Sequence, residues 1–197
     1  FTFPRLVESI LDGNPDTSIG GLGYKKGSEL QINPVDPVIP NLDDLPFANR
    51  DLFAPYEDFS MAMNFVAGRG CPFRCTFCDS PMQKKQFDSP QKFVRYRSVD
   101  KCFEELKLLK EKFNPKNFHI VDDVFTFDKK WMKEWCERYP EEIGTPFQVT
   151  GYPSTMTEEK VVMLKAAGCM FLQVGIQSLD QENRKNILDR HESNEDI

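Results

Sequence analysis

The sequence predicts an α/β fold in which a parallel sheet is built from strands that alternate with helices. Apolar segments of strand length recur after residue 60, at 61–67, 118–121, 147–150 and 170–176. The segments between them carry apolar residues at helical spacing, as in the stretch 99–113. Strands and helices that alternate in this way form parallel sheets with right-handed crossovers.

The composition of the 197 residues narrows the functional classes. The chain is 40% hydrophobic and 28% charged, which is ordinary for a soluble globular protein. Its formal net charge of -6 argues against nucleic acid as a partner. No apolar run approaches the roughly 20 residues that cross a membrane. Six cysteines, three of them clustered, fit a reducing compartment better than a disulfide scaffold, so we predict a cytoplasmic protein.

Capping residues set the boundaries of the predicted helices. Ser98, Asp128 and Thr157 are predicted N-caps, because their side chains can accept hydrogen bonds from free backbone N–H groups. Asn114-Pro115 stops the first of these helices, and residues 181–190 begin a fourth. The sequence after residue 60 therefore predicts four successive strand–helix units.

The first 60 residues form two smaller pieces. Residues 1–30 predict a helix that ends at the turn residues 12–15, a short strand at 18–24 and a turn at 25–27. Residues 31–60 contain five prolines, which favour an extended linker. Apolar side chains in this linker predict that it packs along a domain surface: Leu42, Leu45, Phe47, Leu52 and Phe53.

Each predicted strand is followed by residues that can carry chemistry. In parallel sheets and barrels the functional groups collect at the carboxyl ends of the strands, so we expect these residues to meet in one site. In strand order they are Cys71, Cys75 and Cys78, then Asp122 and Asp123, then Gly151-Tyr152-Pro153, and finally Gln177 and Ser178.

The three cysteines lie within eight positions of one loop, Cys71 to Cys78. Such a cluster binds metal or forms disulfides. Three ligands on one short loop suit a cubane iron–sulfur cluster with one iron left open. A structural zinc site would need a fourth ligand nearby. The other cysteines and both histidines are far away in the sequence, and we interpret the cysteines among them as buried free thiols: Cys102, Cys136 and Cys169.

The loop Cys71-x3-Cys75-x2-Cys78, with the aromatic Phe77 before its last cysteine, resembles the signature of the radical S-adenosylmethionine (SAM) superfamily. Further segments resemble the subgroup of that superfamily that carries a cobalamin-binding domain. These segments are Leu42-Asp43-Asp44-Leu45-Pro46, Arg95-x-Arg97-Ser98, Asp122-Asp123 and Gly175-Ile176-Gln177-Ser178.

The resemblance implies a partial (β/α) TIM-like barrel over residues 61–197, of which the first four βα units are present. It implies that residues 1–30 are the C-terminal remnant of a Rossmann-like cobalamin-binding domain and that residues 31–60 are a proline-rich linker. The chain starts without methionine, and the family's barrel has six strands. We therefore expect an excised segment, with the fifth strand past Ile197.

The resemblance also implies an enzyme with a [4Fe-4S] cluster, SAM and cobalamin as cofactors. In this family the reduced cluster cleaves SAM to a 5′-deoxyadenosyl radical, here for cobalamin-dependent methyl transfer to an unactivated carbon of a small-molecule substrate. The electron donor would be an external protein such as flavodoxin or ferredoxin.

Individual site residues follow from the same resemblance, each beside a simpler interpretation. Asp122 or Asp123 would meet the SAM amino group, or would only brace a turn. Gln177 and Ser178 would contact the ribose, or would only form a strand-end turn. Arg190 would pair with the SAM carboxylate, or would be a solvated arginine at a helix end. Phe77 would shield the cluster and approach the adenine, or would pack in the core.

Other functions stay open at this point. A radical SAM enzyme can catalyse a cyclisation, a rearrangement or a tetrapyrrole modification without methyl transfer. The cysteine loop can also hold a structural or redox cluster in a protein that is not an enzyme, although such a protein needs no polar residues at the strand ends. A methylthiotransferase that acts on transfer RNA would need a second cluster domain and a basic module.

Overall fold

The structure is a computed structural model that describes residues 2–87, 89 and 92–197. Helices and strands alternate along most of the described chain, and a short β-hairpin follows the first helix. In chain order the elements are α1 (Thr2–Leu11), β1 (Gly23–Lys26), β2 (Glu29–Ile32), β3 (Met63–Phe65), β4 (Gly68–Arg69), α2 (Ser80–Lys85), β5 (Arg95–Tyr96), α3 (Val99–Phe113), β6 (Phe118–Ile120), α4 (Lys129–Glu142), β7 (Phe147–Gly151), α5 (Glu158–Ala166), β8 (Cys169–Val174) and α6 (Gln181–Asn186).

Four strands form the central parallel sheet in the order β3-β6-β7-β8. Met63 lies opposite Phe118, and Phe118 lies opposite Phe147 on the next strand. The last pair begins with Phe147 opposite Cys169 and has one register shift directly after it. The four strands of this sheet therefore lie side by side in the order in which they occur in the sequence. This confirms the predicted α/β fold with a parallel sheet.

The predicted helix caps are confirmed. The side-chain oxygen of Ser98 accepts a hydrogen bond from the Lys101 N–H at 3.1 Å. Asp128 caps α4 and Thr157 caps α5 in the same way, at 3.0 and 3.3 Å. Asn114 ends α3 with φ +46°, a left-handed conformation that asparagine tolerates better than most residues. These caps fix where helices α3, α4 and α5 begin and where α3 ends.

An aromatic core fills the space between the sheet and helices α3 and α4. Trp135 is fully buried at its centre and lies 5.1 Å from the ring of Phe103 on α3, between centroids. Phe65 of β3 and Phe147 of β7 contact the same indole from the sheet. Burial of a large aromatic side chain is among the strongest contributions to core stability. This packing holds the sheet against the helices.

The prediction for the N-terminal piece is partly wrong. A strand was expected at 18–24 and a turn at 25–27, but β1 and β2 form an antiparallel hairpin with Lys26 opposite Glu29. Gly21 has φ +73°, which no strand residue adopts, so the strand begins only at Gly23. Gly27 has φ +67° and makes the turn, which leaves both lysines inside the strand.

The proline-rich linker packs along the domain surface over part of its length. Leu42 is buried, and Asp43 accepts a hydrogen bond from the Ser98 N–H at 2.9 Å. Arg95 donates a hydrogen bond to the Ile39 carbonyl at 2.7 Å. Leu52, in contrast, is exposed. The predicted packing is thus confirmed around residues 39–43, where polar contacts hold the linker, but not at Leu52.

Three further differences concern short elements. The two-residue strands β4 and β5 pair antiparallel beside the main sheet, and α2 follows the cysteine loop; neither was expected. Helix α6 ends at Asn186, before the expected position 190, and Asp189 then takes φ +49°. In the part of the chain that the structure describes, no helix is long and apolar enough to cross a membrane.

Candidate functional site

One cavity of about 180 Å³ lies at the carboxyl ends of the parallel strands. Residues that follow each of the four strands line it, so the sheet brings together groups that are more than 100 positions apart. The lining residues that bear on the chemistry are Cys71, Cys75, Phe77, Cys78, Asp123, Tyr152, Gln177 and Arg190.

The cysteine loop is held in place directly before its first cysteine and again within the loop. Before Cys71, Gly70 has φ +88°, and a β-carbon there would lie 2.5 Å from the Phe93 carbonyl oxygen, so only glycine fits. Within the loop, the backbone and hydroxyl of Thr76 donate hydrogen bonds to the carbonyls of Leu188 and Ile187, at 3.1 and 2.7 Å. The segment after α6 therefore holds the cysteine loop through these two hydrogen bonds.

The three thiols of the loop are free and face the cavity. Burial raises the pKa of the Cys71 thiol to about 11 and raises the pKa of the Cys75 thiol as well. Such thiols lose their protons when they bind a metal, because the positive charge of the metal compensates the negative thiolate charge that burial otherwise disfavours. The pocket is therefore poorly suited to a free nucleophilic thiolate and well suited to thiolate ligands.

The donor set fits an iron–sulfur cluster better than a single ion. Among residues 2–87, 89 and 92–197, no group of three or more Cys, His, Asp or Glu side chains converges closely enough to hold one metal ion. Thiolates that each bind a different iron of a cluster do not need to converge in that way. The three loop thiols that line the cavity meet this requirement.

The two adjacent aspartates point to different places. Asp123 lines the cavity, and its pKa is raised by burial first and by the nearby Asp79 carboxylate second. Asp122 is buried outside the cavity lining and accepts hydrogen bonds from the backbone N–H groups of Ala67 and Gly68, at 2.8 and 3.0 Å. Burial raises its pKa to about 7. Only Asp123 is placed to meet a ligand.

Gln177 and Ser178 also separate. Gln177 lines the cavity and has φ +69°, an unusual conformation for a residue other than glycine. Strained backbone of this kind concentrates at functional sites. The Ser178 hydroxyl instead accepts a hydrogen bond from the Asp180 N–H at 3.2 Å, next to the N-cap of α6. Ser178 thus forms the turn, while Gln177 faces the cavity.

Arg190 is not a solvated arginine at a helix end. It lies after α6 and is 4% exposed, with its Nη2 donating to the Gly175 carbonyl at 2.6 Å. Its Nε donates to the Glu192 carboxylate at 2.5 Å. The solvated interpretation is therefore wrong, because the fold carries this side chain back over the end of β8 and into the cavity wall.

Two residues of the site were not given a role from the sequence. Tyr152, directly after β7, stacks on Phe73 of the cysteine loop and lies 4.1 Å from the Arg190 guanidinium. Its hydroxyl donates to Glu192 at 2.9 Å. The position of Tyr152 after a strand was a usable signal. Glu192 had none, because it reaches the site only through the fold of the segment after α6.

The remaining predicted residues occupy simpler positions. Phe77 lines the cavity and is 55% exposed, so it does not pack in the core. Cys102 and Cys136 are buried free thiols as interpreted, and Cys169 is half-buried. Of the six cysteines, the three in the loop are those that line the cavity.

A comparison with protein families decides the family. The sequence profile described as the radical SAM superfamily matches residues 65–197, which include the cysteine loop and all polar strand ends. This chain belongs to the radical SAM superfamily. Membership of this superfamily implies a [4Fe-4S] cluster and SAM, which agrees with the donor set at the cavity.

Curated relatives of this radical SAM chain are methyltransferases. It is 30% identical to an uncharacterized methyltransferase of Pyrococcus horikoshii over 90% of its own length and 38% of the relative. It is 26% identical to bacteriochlorophyllide d C-12(1)-methyltransferase of Chlorobaculum tepidum, over 66% and 28% of the two chains. It is 24% identical to cytidylyl-2-hydroxyethylphosphonate methyltransferase of Streptomyces wedmorensis, over 95% of its own length and 40% of the relative. The chain thus spans about two fifths or less of the length of these relatives.

Solved structures show the same fold. The radical SAM methyltransferase TsrM from Kitasatospora setae, solved with cobalamin and a [4Fe-4S] cluster bound, superposes with a TM-score of 0.73 at 17% identity. A second TsrM structure, with tryptophan substrate and the SAM analogue aza-SAM, gives 0.72 at 18%. Both matches cover 99% of this radical SAM chain and 40% of TsrM. The whole described architecture is therefore that of the corresponding part of TsrM.

Proposed function

We propose that this chain forms the cluster and SAM site of a radical SAM methyltransferase. The observation that carries the proposal is the cavity at the strand ends, which three loop thiols line together with Asp123, Gln177 and Arg190. A cluster that served only a structural role would need no polar wall opposite the thiols.

Cys71, Cys75 and Cys78 would hold three irons of the [4Fe-4S] cluster, so that one iron would lack a protein ligand. When bound, the cluster supplies the electron that breaks the sulfonium carbon–sulfur bond of SAM and yields a 5′-deoxyadenosyl radical. The contribution of the protein would be to fix the loop, which Thr76 holds through hydrogen bonds to the carbonyls of Leu188 and Ile187.

The opposite wall would orient SAM. Asp123 faces the cavity with a carboxylate that burial makes reluctant to ionise, and the ammonium of SAM would favour its charged form. Gln177 offers an amide that can donate to and accept from ribose hydroxyls. Phe77, exposed at the cavity mouth, offers an aromatic face to the adenine.

Arg190 would meet the SAM carboxylate mainly through its Nη1 group. Its Nε and Nη2 are taken by Glu192 and Gly175, and among the described residues only Nη1 lacks a hydrogen bond. The Glu192 carboxylate also compensates the charge of the guanidinium. Arg190 is therefore a weaker anion ligand than a free, bidentate arginine.

Methyl transfer is supported by the relatives, whose names describe methyltransferases. Cobalamin as methyl carrier is supported by TsrM, whose match extends over residues 1–60 of this chain. On this proposal residues 1–30 belong to a cobalamin-binding domain, residues 31–60 connect it, and residues 61–197 form part of the barrel. A small-molecule acceptor and an external flavodoxin or ferredoxin complete the reaction.

Anaerobic reconstitution tests the proposal. The protein should take up iron and sulfide and, with SAM and dithionite, release 5′-deoxyadenosine. Cys71→Ala, Cys75→Ala and Cys78→Ala should each abolish cluster uptake and 5′-deoxyadenosine release. Cys169 is half-buried and lies outside the cavity, so Cys169→Ala should preserve both. If protein with a complete cluster releases no 5′-deoxyadenosine, the proposed radical SAM activity is wrong. A protein that forms 5′-deoxyadenosine but keeps no corrin absorption after purification with hydroxocobalamin would contradict the cobalamin-dependent transfer.

A further inference from the structure

Asp122 has the contacts of a residue that shapes the cluster loop. It directly follows β6, and one carboxylate oxygen, Oδ1, accepts hydrogen bonds from the N–H groups of Ala67 and Gly68, at 2.8 and 3.0 Å. The side chain is 5% exposed. Its other oxygen, Oδ2, is buried and has no hydrogen-bond partner among the residues that the structure describes. Burial of a carboxylate oxygen without a hydrogen-bond partner is unfavourable, so the surrounding fold must hold Asp122 in this position.

The backbone that Asp122 holds is the path from the sheet to the first cysteine. Ala67 lies between β3 and β4, and Gly68 is the first residue of β4, three positions before Cys71. A β-carbon on Gly68 would lie 2.6 Å from the ring of Tyr96, so β5 presses on the same backbone from the other side. The start of the loop is thus fixed between a carboxylate on one strand end and an aromatic ring on a neighbouring strand.

The two adjacent aspartates face different parts of the site. Asp123 lines the cavity, whereas Asp122 reaches back to the strand that precedes the cysteine loop. Because the two residues share one peptide bond, any shift of Asp122 moves Asp123 relative to Cys71. One dipeptide therefore sets the distance between the thiol wall and the polar wall of the cavity.

We propose that Asp122 is a positioning residue, which holds the backbone of Ala67 and Gly68 and thereby places Cys71 for cluster binding and Asp123 for SAM. The proposal rests on the proposed function, since it concerns the same site. It goes beyond that function because Asp122 acts through the backbone and does not contact a cofactor.

Variants at the two aspartates separate this role from general stability. Asp122→Ala leaves two buried N–H groups without their acceptor. Asp122→Asn keeps the oxygen acceptor and is the conservative variant. Asp123→Asn changes the neighbouring carboxylate on the cavity side, and Cys169→Ala, at a cysteine outside the cavity, is the control for iron release.

The experiment follows cluster loss from the whole reconstituted chain under anaerobic conditions. Iron release to a bathophenanthroline chelator is timed, the reduced cluster is recorded by EPR with and without SAM, and circular dichroism monitors the fold. We expect Asp122→Ala to release iron at least tenfold faster than wild type at unchanged circular dichroism. Asp122→Asn keeps the acceptor and should release iron at close to the wild-type rate. Cys169→Ala should also release it at the wild-type rate, and Asp123→Asn should lose the SAM-induced change of the EPR signal.

The outcomes distinguish this inference from the proposed function. A folded Asp122→Ala protein that releases iron at the wild-type rate would overturn the positioning role. If Asp122→Ala does not fold, Asp122→Val, which removes the same acceptor but fills more of the space, is measured in its place, and a wild-type rate in that variant overturns the role. A wild-type protein that never takes up a cluster would instead contradict the proposed function itself.

Discussion

The ring of Tyr152 stacks on the ring of Phe73, with the two centroids 3.5 Å apart and the ring planes 12° from parallel. This contact joins the end of β7 to the cysteine loop. On its other side, the Tyr152 ring faces the Arg190 guanidinium. A stack between a strand end and the loop explains how a segment without regular structure holds a defined position at the cavity.

Substitution of Tyr152 tests the stack. Tyr152→Leu should lower the free energy of unfolding by roughly 1–3 kcal/mol, because it removes both the aromatic pair and the cation–π contact. Tyr152→Phe keeps both contacts and loses only the hydroxyl bond to Glu192, so it should lose about 1 kcal/mol. Urea unfolding of both variants measures the difference. Equal losses would show that the ring contacts contribute nothing.

The buried pair of Arg190 and Glu192 gives a larger expected effect. The two side chains are 4% and 0% exposed and lie 2.5 Å apart. Glu192→Gln leaves a buried guanidinium without its counter-charge, which should lower the free energy of unfolding by about 3–5 kcal/mol. Arg190→Met leaves the carboxylate unpaired and should lose a similar amount.

A double-mutant cycle checks that these losses share one cause. The variant with both Arg190→Met and Glu192→Gln should lose clearly less than the sum of the single variants, because neither charge is then left alone. Urea unfolding at constant pH gives the four free energies. Additive losses would mean that the two residues stabilise the fold independently.

The sequence was sufficient for the features that depend on local pattern. Strand and helix order, the caps such as Ser98, and the cysteine loop follow from spacing and residue type. The cavity lining by Asp123 and Gln177 follows from the rule that parallel strands end at one edge. These features need no knowledge of which side chains touch.

Features that depend on tertiary contact were missed. Nothing in the pattern separates Asp122 from Asp123, because both follow the same strand and differ only in which side of it they face. Arg190 and Glu192 meet because Asp189 takes a left-handed conformation after α6. The two-residue strand β4 is too short to leave a period in the sequence. In each case the deciding contact lies between distant segments.

The linker gives a prediction that is independent of the cofactors. Asp43 accepts a hydrogen bond from the Ser98 N–H, beside the buried Leu42. Asp43→Ala should release this part of the linker and make it several-fold more sensitive to limited proteolysis. Asp44→Ala, at an exposed neighbouring position, is the control and should digest like wild type. Equal protection in both variants would show that the hydrogen bond does not hold the linker.

The pKa of Asp122 predicts a pH dependence of stability with an unusual sign. Burial, aided by the Asp123 charge, raises this pKa from 3.8 to about 7, although the N–H groups of Gly68 and Ala67 and the Arg97 charge oppose the shift. Between these two values the folded protein holds a proton that the unfolded chain has lost. The free energy of unfolding should therefore fall as pH rises from about 4 to 7, by at most about 1.4 kcal/mol per pH unit, and the loss is complete above pH 7.

Asp122→Asn isolates this contribution, because asparagine does not titrate. Urea unfolding of metal-free wild type and variant at pH 5, 6 and 7 gives the difference between them, in which other titrating groups cancel. Wild type should lose stability relative to the variant at each step. A difference that stays constant, or that grows in favour of wild type, would mean that the two backbone N–H bonds outweigh burial. The carboxylate would then be ionised in the folded protein throughout this range.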